Sequence, residues 1–368
     1  MSSLAVDVQQ THAGPVLHVD LTAVAANTRH FVEATPAAVM AVVKASGFGH
    51  GLPALATTAL ASGATWIGVT SIEEAVEVRG AGVRAPVLSW LNPVDVDTLA
   101  VRRYDIDLSV PSVHHLAAIE ESAGPPIRIH LQLDTGMARD GAAPEEWFAL
   151  MSAAKRAEVA KRVKVVGVMG HLPMTDSHSA GLRAFERGVQ MARQSGLRPA
   201  FRHLASTSAT LTDRRTHMDM VRIGAGLVGI DPSGTTNLRG GLTLTAPVVQ
   251  VRRVRKGTGV GYGHTYVTSR STTLALVPLG YADGVPRLAS GRAEVWLAGR
   301  RRPVVGLVSM DQIVVDMGDD PLVPGAQATV FGPGDNGEPT VEDWAQWAGT
   351  IPHEIMTGIG PRVRRVVR

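Results

Sequence analysis

Residues 41–51 read AVVKASGFGHG: an apolar run ends on Lys44, and three glycines and a histidine follow. A short apolar run bounded by glycines is typical of a strand that is buried on both faces. Lys44 is one of five lysines in the chain, and it is the only one that follows a predicted strand into a glycine-rich loop. The sequence therefore places an amine at the end of a buried strand, where either an ion pair or a chemical role must explain it.

The same pattern of apolar run and loop repeats along the first two thirds of the chain. Near-continuous apolar strands separated by helix-like segments indicate a parallel sheet that is covered on both faces. Eight such units predict an α/β fold with an N-terminal (β/α)8 TIM-type barrel. The predicted strands are residues 39–43, 66–70, 86–90, 105–110, 127–134, 165–171, 201–205 and 220–224.

A polar, glycine-rich stretch, PSGTTNLRGG at 232–241, separates this pattern from a second series of strand-like segments. We therefore expect residues 1–15 to be a flexible N-terminus, residues 16–235 to form the barrel and residues 236–368 to form a C-terminal, mostly-β domain. The early segment VLHVDL, at 16–21, precedes the first barrel strand and is expected to pair with the β domain.

Two local features of the β domain are also predicted. Thr340 followed by Asp343 resembles a capping box, which predicts a helix over residues 341–348. The triplet Arg300–Arg302 is interpreted as a solvated turn between two strands.

Composition excludes several classes of protein. The 368 residues are 45% hydrophobic and 19% charged, with a net charge of +3, which is ordinary for a globular protein. The basic excess is scattered, so nucleic-acid binding is not expected. No apolar run approaches the ~18 residues that a membrane span needs, and no signal peptide is recognisable. The chain has no cysteine, which excludes disulfides and is consistent with a cytoplasmic location.

Active-site groups of a TIM-type barrel lie at the carboxyl ends of its strands. The loops after strands seven and eight usually bind phosphate, and here they offer the hydroxyls of Ser206 and Thr207 and the backbone N–H groups of residues 224–226. A lysine at the mouth beside such loops points to Schiff-base chemistry with a phosphorylated aldehyde cofactor, as in pyridoxal 5'-phosphate (PLP). The candidate residues at the predicted strand ends are Lys44, Asp134, Arg139, His171, His203, Ser206, Thr207, Arg222, Gly224, Ala225 and Gly226.

These residues also admit other interpretations. Lys44 could be an ion-pair partner, but the glycines and phosphate-type loops favour chemistry. Residues 224–229 match GxGxxG, yet no helix is predicted after them and the next acidic residue after Asp231 is Asp283, so a dinucleotide site is disfavoured. His171 and His203 lack a glutamate cluster, which favours hydrogen-bonding roles, and no metal site is predicted.

Seven segments taken together resemble the alanine racemases, PLP-dependent amino-acid racemases with an N-terminal barrel and a C-terminal β domain. The similarity covers about residues 16–366. Any one segment alone would be weak, but seven in the same order are specific. The segments are AVVKASGFGHG, LDTGMARDG, MGHLPMTD, RHLAST, MVRIGAG, PLGYADG and VSMDQ.

The resemblance implies that Lys44 holds PLP and then serves as one acid/base, while Tyr281 from the second subunit of a homodimer is the other. Two bases on opposite faces of a planar carbanion can return the proton on either side, which is racemisation. A phenol has a pKa near 10 and needs positive charge or hydrogen-bond donors nearby, which His171 and Arg222 would supply. Arg222 would face the pyridine nitrogen and leave it unprotonated.

The resemblance also assigns binding roles and implies a cytoplasmic isomerase that makes D-alanine for peptidoglycan. Lys44, Phe48, Arg139, His171, Ser206, Thr207, Arg222, Gly224 and Ala225 would contact the cofactor. Arg139 and the backbone N–H of Met310 would bind the substrate carboxylate. Asp311, also expected at the substrate site, would lie near Lys44.

This chain departs from the family pattern around the expected site. Phe48 stands where a tyrosine usually bonds the phosphate, and Gln132 where many members have a carbamylated lysine that orients the arginine; the amide is expected to bond Arg139 more weakly. Ser206 replaces an asparagine, residues 227–228 replace a segment that often ends in tyrosine, and Pro361 replaces a tyrosine at the pocket entrance.

Several functions stay open at this point. The first is an alanine racemase; the second is a racemase for serine or another amino acid in a specialised pathway. A PLP-binding protein without turnover, a fold-related PLP decarboxylase and a Schiff-base aldolase follow in that order. The aldolase leaves the β domain unexplained.

Overall fold

The computed structural model describes residues 14–173 and 178–368 and divides them into two compact units. One unit is Asp20–Gly241, and the other combines residues 14–19 with Leu242–Arg368. The predicted flexible N-terminus lies outside the described residues as far as residue 13, and so do residues 174–177 of the MGHLPMTD segment.

The first described strand, β1 (Val16–Val19), belongs to the second unit, and the next eight strands form a closed parallel barrel. The barrel confirms the predicted fold class. Strand β2 pairs with its neighbour along the chain and also with the last barrel strand, which closes the ring. The barrel strands are β2 (Ala38–Val42), β3 (Trp66–Val69), β4 (Val87–Ser89), β5 (Ile106–Val110), β6 (Ile127–Gln132), β7 (Val163–Met169), β8 (Phe201–His203) and β9 (Met220–Ile223).

Helices follow the barrel strands and bury one face each, as the alternating pattern predicted. Buried side chains from five strands pack into one cluster: Met40, Trp66, Leu88, Met169 and Met220. The helices of this unit are α1 (Leu21–Ala34), α2 (Leu52–Ala61), α3 (Ile72–Gly80), α4 (Thr98–Arg103), α5 (Val113–Glu121), α6 (Trp147–Val159), α7 (Ser179–Gln194) and α8 (Thr207–Thr212).

The second unit is a nine-stranded sheet with the order β11-β14-β17-β16-β15-β18-β10-β1-β19, and a two-stranded ribbon, β12-β13. Most neighbours are antiparallel, which confirms the mostly-β domain. Its strands after β1 are β10 (Leu242–Pro247), β11 (Gln250–Val254), β12 (Gly259–Val260), β13 (Tyr266–Val267), β14 (Thr272–Val277), β15 (Glu294–Leu297), β16 (Arg300–Val305), β17 (Ile313–Gly318), β18 (Gln327–Phe331) and β19 (Arg364–Val367).

The unit boundaries differ from the predicted ones at residues 16 and 235. Strand β1 runs antiparallel to β10 and parallel to β19, so the expected pairing of this segment with the β domain is confirmed. Because β1 lies between two strands of the sheet, it belongs to the β unit although it precedes the barrel in sequence. The polar stretch 232–241 stays with the barrel unit, which ends at Gly241.

The predicted helix over residues 341–348 is present as α9 (Val341–Ala348), and Thr340 and Asp343 form its capping box. A short helix, α10 (Pro352–Thr357), follows.

The interpretation of Arg300–Arg302 as a solvated turn was wrong. The triplet begins strand β16, and Arg302 is 4% exposed. Its guanidinium donates to the carbonyls of Leu297 and Met317 and pairs with Asp320, so three acceptors replace the water that burial removes.

No helix of the described residues is long and apolar enough to cross a membrane.

The central position of β1 gives a stability prediction. Leu17 is fully buried in this strand, so Leu17→Ala removes packed methyl groups and leaves a cavity. We expect the free energy of unfolding to fall by about 2–5 kcal/mol. Urea denaturation followed by circular dichroism measures it. Leu288→Ala is the matched control in the same unit, because Leu288 is 72% exposed; equal losses in the two variants would contradict a core role for β1.

Candidate active site

Lys44 begins a left-handed turn directly after strand β2. Ala45, Ser46, Gly47 and Phe48 all have φ between 52° and 63°, and hydrogen bonds from Gly47 N to Val43 O and from Gly51 N to Ser46 O close the turn. Left-handed backbone costs roughly 1–2 kcal/mol for each residue with a Cβ atom. A strained turn of this kind persists only where its surroundings hold it, so its anchors matter for the position of Lys44.

Glu74, near the start of α3, is one such anchor. Its Oε1 accepts a hydrogen bond from Ala45 N at 2.7 Å, and its Oε2 accepts from the N–H and the hydroxyl of Thr70, both at 2.8 Å. The carboxylate therefore ties the residue after Lys44 to the end of strand β3. Glu74 was not among the site residues predicted from the sequence. The pattern Ser71-x-x-Glu74 is a capping-box signature, which would have assigned the carboxylate to the helix start instead.

The amine of Lys44 is placed where its charge is disfavoured. Burial lowers the pKa of Lys44, and the nearby Arg139 guanidinium lowers it further, while Glu74 opposes the shift. A lowered pKa increases the fraction of neutral, nucleophilic amine at neutral pH.

Arg222, in strand β9, is buried, with 5% of its surface exposed. Its Nη1 donates to the carbonyl of His203 at 2.9 Å, and its Nη2 donates to the carbonyls of Gly170 at 2.6 Å and Leu204 at 3.3 Å. Nη1 also donates to His203 Nδ1 at 3.1 Å, and Nη2 to His171 Nδ1 at 3.2 Å. Burial lowers the pKa of Arg222 to about 10, so the guanidinium is still charged at neutral pH.

No acceptor for Arg222 Nε occurs among residues 14–173 and 178–368. The two Nη atoms are occupied by the protein, and Nε is the donor that a ligand acceptor can use.

His171 follows strand β7 and is neutral. Burial, followed by the charges of Arg222, Arg139 and Lys44, lowers the pKa of His171 to about 3. Because arginine can only donate, the Nδ1 of His171 that faces Arg222 must be the acceptor. The proton of the neutral ring is therefore on Nε2, which makes that atom a hydrogen-bond donor.

Arg139 lies on a loop after β6 that Asp134 organises. The Asp134 carboxylate accepts from the N–H groups of Gly136, Met137 and Ala138 at 2.9–3.1 Å. These bonds hold Ala138 at a φ of 52°, next to Arg139, which is exposed in the single chain.

The expected bond between Gln132 and Arg139 is not formed in the described residues. Gln132 Nε2 donates to Asp140 at 2.8 Å, and its Oε1 accepts from the hydroxyl of Ser109. The amide is thus committed to the barrel wall and to the acidic neighbour of Arg139. Gln132 supports the loop through Asp140 rather than through the guanidinium.

The two phosphate-type loops meet, as predicted. Thr207 Oγ1 accepts from Gly226 N at 3.1 Å, which joins the loop after β8 to the short 3-10 turn Ala225–Val228 after β9. A Cβ atom at Gly224 would lie 3.0 Å from Phe48 Cζ, so the Phe48 ring packs against this loop. The turn is not the α-helix that a dinucleotide fingerprint requires.

Tyr281, Met310 and Asp311 come together in the β unit. Tyr281 N donates to Ser309 O at 3.0 Å, and Ala282 N donates to Met310 O at 3.0 Å, so the two loops run side by side. Tyr281 and Met310 are 42% and 52% exposed in the single chain.

Arg362 pairs with a carboxylate on each of these two loops. It bonds Asp311 at 2.8 Å and the buried carboxylate of Asp283 at 2.9 Å. Asp311 therefore has a cationic partner within its own unit, and its predicted position near Lys44 stays a prediction.

The described residues contain no group of three or more His, Asp or Glu side chains that could hold a metal ion. The hydrogen-bonding interpretation of His171 and His203 is confirmed by their bonds to Arg222. The barrel unit therefore contains the Lys44 amine, whose pKa is lowered, the buried guanidinium of Arg222 and the neutral imidazole of His171. It also contains two adjoining loops that offer N–H and hydroxyl groups.

Comparisons with known proteins agree along the whole chain. The family models "Alanine racemase, N-terminal domain" and "Alanine racemase, C-terminal domain" match residues 19–232 and 241–367. The alanine racemase of Thermobifida fusca is 45% identical over 360 residues, which are 95% of this chain and 96% of that protein.

Solved structures give the same result. The alanine racemase of a D-cycloserine-producing Streptomyces lavendulae superposes with a TM-score of 0.94 at 41% identity, covering 98% of both chains. The alanine racemase of Bartonella henselae with covalently bound pyridoxal phosphate superposes with a TM-score of 0.87 at 27% identity, covering 97% of this chain and 100% of that one. With both domains matched and identities above 40% over nearly the full length, the chain belongs to the alanine racemase family.

Proposed function

We propose that the protein interconverts L- and D-alanine with PLP as cofactor, by a two-base mechanism that uses Lys44 and Tyr281 of the partner subunit. The observation that carries this proposal is the lysine of lowered pKa at the barrel mouth, in the same unit as the Arg222–His171 pair. The homodimer is part of the proposal, and the exposure of Tyr281 and Met310 in the single chain supports it. The cytoplasmic location and the supply of D-alanine to peptidoglycan stay predictions.

The residues of the barrel unit fit PLP. Lys44 offers the amine for covalent attachment, and the loops joined by the Thr207–Gly226 bond offer hydroxyl and N–H donors for a phosphate. Arg222 Nε offers a donor to a ring nitrogen. When bound, PLP stabilises the negative charge that develops at the substrate Cα.

Arg222 determines which reaction this arrangement favours. Its pKa of about 10 is well above neutrality, so it donates a hydrogen bond without transferring its proton. Arg222 would therefore leave the ring nitrogen of bound PLP unprotonated, which would limit electron withdrawal and favour proton exchange at Cα over decarboxylation.

The two bases have different supports. Lys44 is held by the left-handed turn that Glu74 anchors, and its lowered pKa increases the fraction of neutral amine that can accept a proton. The phenol of Tyr281 of the partner subunit would accept a hydrogen bond from His171 Nε2.

The first test is direct assay of racemisation. Purified protein incubated with PLP and L-alanine should form D-alanine, detected by chiral chromatography, and borohydride reduction should attach the cofactor to Lys44. Lys44→Ala should lose both properties because no other amine replaces it. Lys256→Ala, an exposed lysine of the β unit, should keep both.

The same assay separates the alternatives. Comparing turnover across L-amino acids distinguishes an alanine racemase from a racemase for serine or a larger substrate. Cofactor attached to Lys44 without any Cα proton exchange in heavy water would leave a PLP-binding protein and overturn the racemase proposal.

Tyr281→Phe tests the second base. Removing the hydroxyl should slow conversion of L-alanine by about 10²–10⁴-fold, the usual contribution of a general base. Exchange of the D-alanine α-proton, which Lys44 would handle, should be affected less. Tyr262→Phe is the matched control, because Tyr262 is 71% exposed in the same unit. Equal rates for Tyr281→Phe and the unaltered enzyme in both directions would rule out this assignment.

Phe48→Tyr tests the altered phosphate contact. Phe48 Cζ faces Gly224, so a hydroxyl on that carbon would extend into the phosphate-type loop. One added hydrogen bond of about 1 kcal/mol should tighten PLP binding by about fivefold. Equilibrium dialysis of the cofactor-free protein measures it. Phe148→Tyr, at a 68% exposed position, should leave the affinity unchanged; a weaker affinity for Phe48→Tyr would contradict the predicted direction of the ring.

A further inference from the structure

A chain of buried polar side chains crosses the barrel interior behind Arg222. His203 Nε2 lies 2.8 Å from His130 Nδ1, and His130 Nε2 lies 3.4 Å from Asp107 Oδ2. Asp107, His130 and His203 are all fully buried. Asp107 Oδ1 accepts from Arg128 Nε at 2.6 Å. The chain thus runs from the start of β5, through β6 and β8, to the guanidinium in β9.

The direction of every hydrogen bond in this chain is fixed by chemistry. Arg222 has no acceptor, so His203 Nδ1 must carry a lone pair, and its ring proton must be on Nε2. His203 Nε2 therefore donates to His130 Nδ1, which leaves the His130 proton on Nε2, facing the carboxylate of Asp107.

Other protonation states do not fit these contacts. A proton on His203 Nδ1 would face the N–H of Arg222, and a proton on His130 Nδ1 would face the N–H of His203. Both imidazoles are therefore neutral. Burial also lowers the pKa of His203 well below its ordinary value, and the charge of Arg222 lowers it further.

Packing leaves the rings little freedom to rearrange. A Cβ atom at Gly167 would lie 2.0 Å from His130 Nδ1, so the ring rests directly on the β7 backbone. Trp66 packs edge-on against His130 at 5.6 Å between ring centroids, and the two imidazoles lie at 82° to each other. Since the rings cannot turn without displacing backbone, the hydrogen-bond pattern is a stable feature of the barrel.

We propose that Asp107 and His130 are positioning residues for the racemase site. The Asp107 carboxylate sets the tautomer of His130, His130 sets that of His203, and the resulting lone pair on His203 Nδ1 holds the guanidinium of Arg222 in orientation. Neither residue would touch substrate or cofactor. The series of hydrogen bonds that begins at the buried guanidinium of Arg222 ends at the carboxylate of Asp107. Within the described residues, no carboxylate contacts that guanidinium directly. Only the kinetic part of this inference rests on the proposed function.

The first test needs no cofactor. Nitrogen-15 NMR of labelled histidine side chains in the cofactor-free protein, assigned with single variants, should show His130 and His203 neutral with the proton on Nε2. The neutral state of His203 should persist from about pH 6 to 8, where a free imidazole titrates, because burial lowers the pKa of His203. A Nδ1–H tautomer or a cationic ring at either position would overturn the proposal.

The second test changes, one at a time, the two carboxylates that pair with Arg128. Asp107→Asn keeps the shape but has one acceptor oxygen for two donors, His130 and Arg128. We expect mixed tautomers at His130 and His203, and a kcat for alanine lowered about tenfold, or 1.4 kcal/mol, with KM little changed. Asp105→Asn is the matched control: Asp105 also binds Arg128, at 2.7 Å, but is exposed and contributes no bond to the histidines.

The third test separates hydrogen bonding from packing. His130→Gln can still accept from His203 and donate to Asp107, whereas His130→Leu can do neither. Rescue of kcat and of the His203 tautomer in the glutamine variant supports the proposal, and equal loss in both variants, with unchanged urea midpoints, overturns it. If the NMR result holds but unaltered enzyme forms no D-alanine, the proposed function fails and the hydrogen-bond chain stands.

Discussion

The burial of the Arg222 guanidinium is the constraint on which the barrel site depends. The side chain is 5% exposed and forms no ion pair within the described residues, so carbonyl oxygens must replace its hydration. Those carbonyls come from Gly170, His203 and Leu204, at the ends of β7 and β8. The cation therefore fastens the region where the barrel is least regular, since β8 and β9 share only the pair His203–Met220.

Lys44 is positioned by a second hydrogen-bond network, that of Glu74, which interacts with the Arg222 network only through charge. Glu74 ties the left-handed turn to β3, which fixes the backbone without neutralising the amine completely, because Arg139 and burial still lower the pKa of Lys44. Burial, followed by the charges of Arg222, Arg139 and Lys44, lowers the pKa of His171 to about 3. Burial and the Arg139 guanidinium thus act on both groups: they make the lysine easier to deprotonate and keep the histidine neutral, and both states are the ones that proton exchange at a carbon requires.

The sequence alone predicted what depends on local pattern. Strands buried on both faces leave apolar runs, so all eight barrel strands were identified, and the Thr340–Asp343 capping box identified α9. It could not reveal contacts that join distant segments. Strand β1 is placed by partners more than two hundred residues away. Arg302 is buried because carbonyls on two other strands accept its donors.

The candidate site likewise contains residues that local pattern indicates and residues that only contacts between distant segments reveal. The residues at strand ends were predictable, because every parallel barrel brings those ends to one mouth. Glu74 was missed because its motif suggests a helix cap, whereas its carboxylate accepts a hydrogen bond from Ala45 N. Gln132 was misassigned because its position suggests a bond to Arg139, whereas its amide donates to Asp140.

Nothing in the sequence distinguished Asp107 and His130 as residues of the site. Polar residues alternate with apolar ones along β5 and β6, so these two resemble the other polar residues of their strands. Only the distances between β5, β6 and β8 show that they form a series. A buried polar residue inside a barrel is stable only when every donor meets an acceptor. That requirement transmits the choice of tautomer along the whole series. Residues chosen to satisfy each other in the barrel core therefore also determine the orientation of a guanidinium at its mouth.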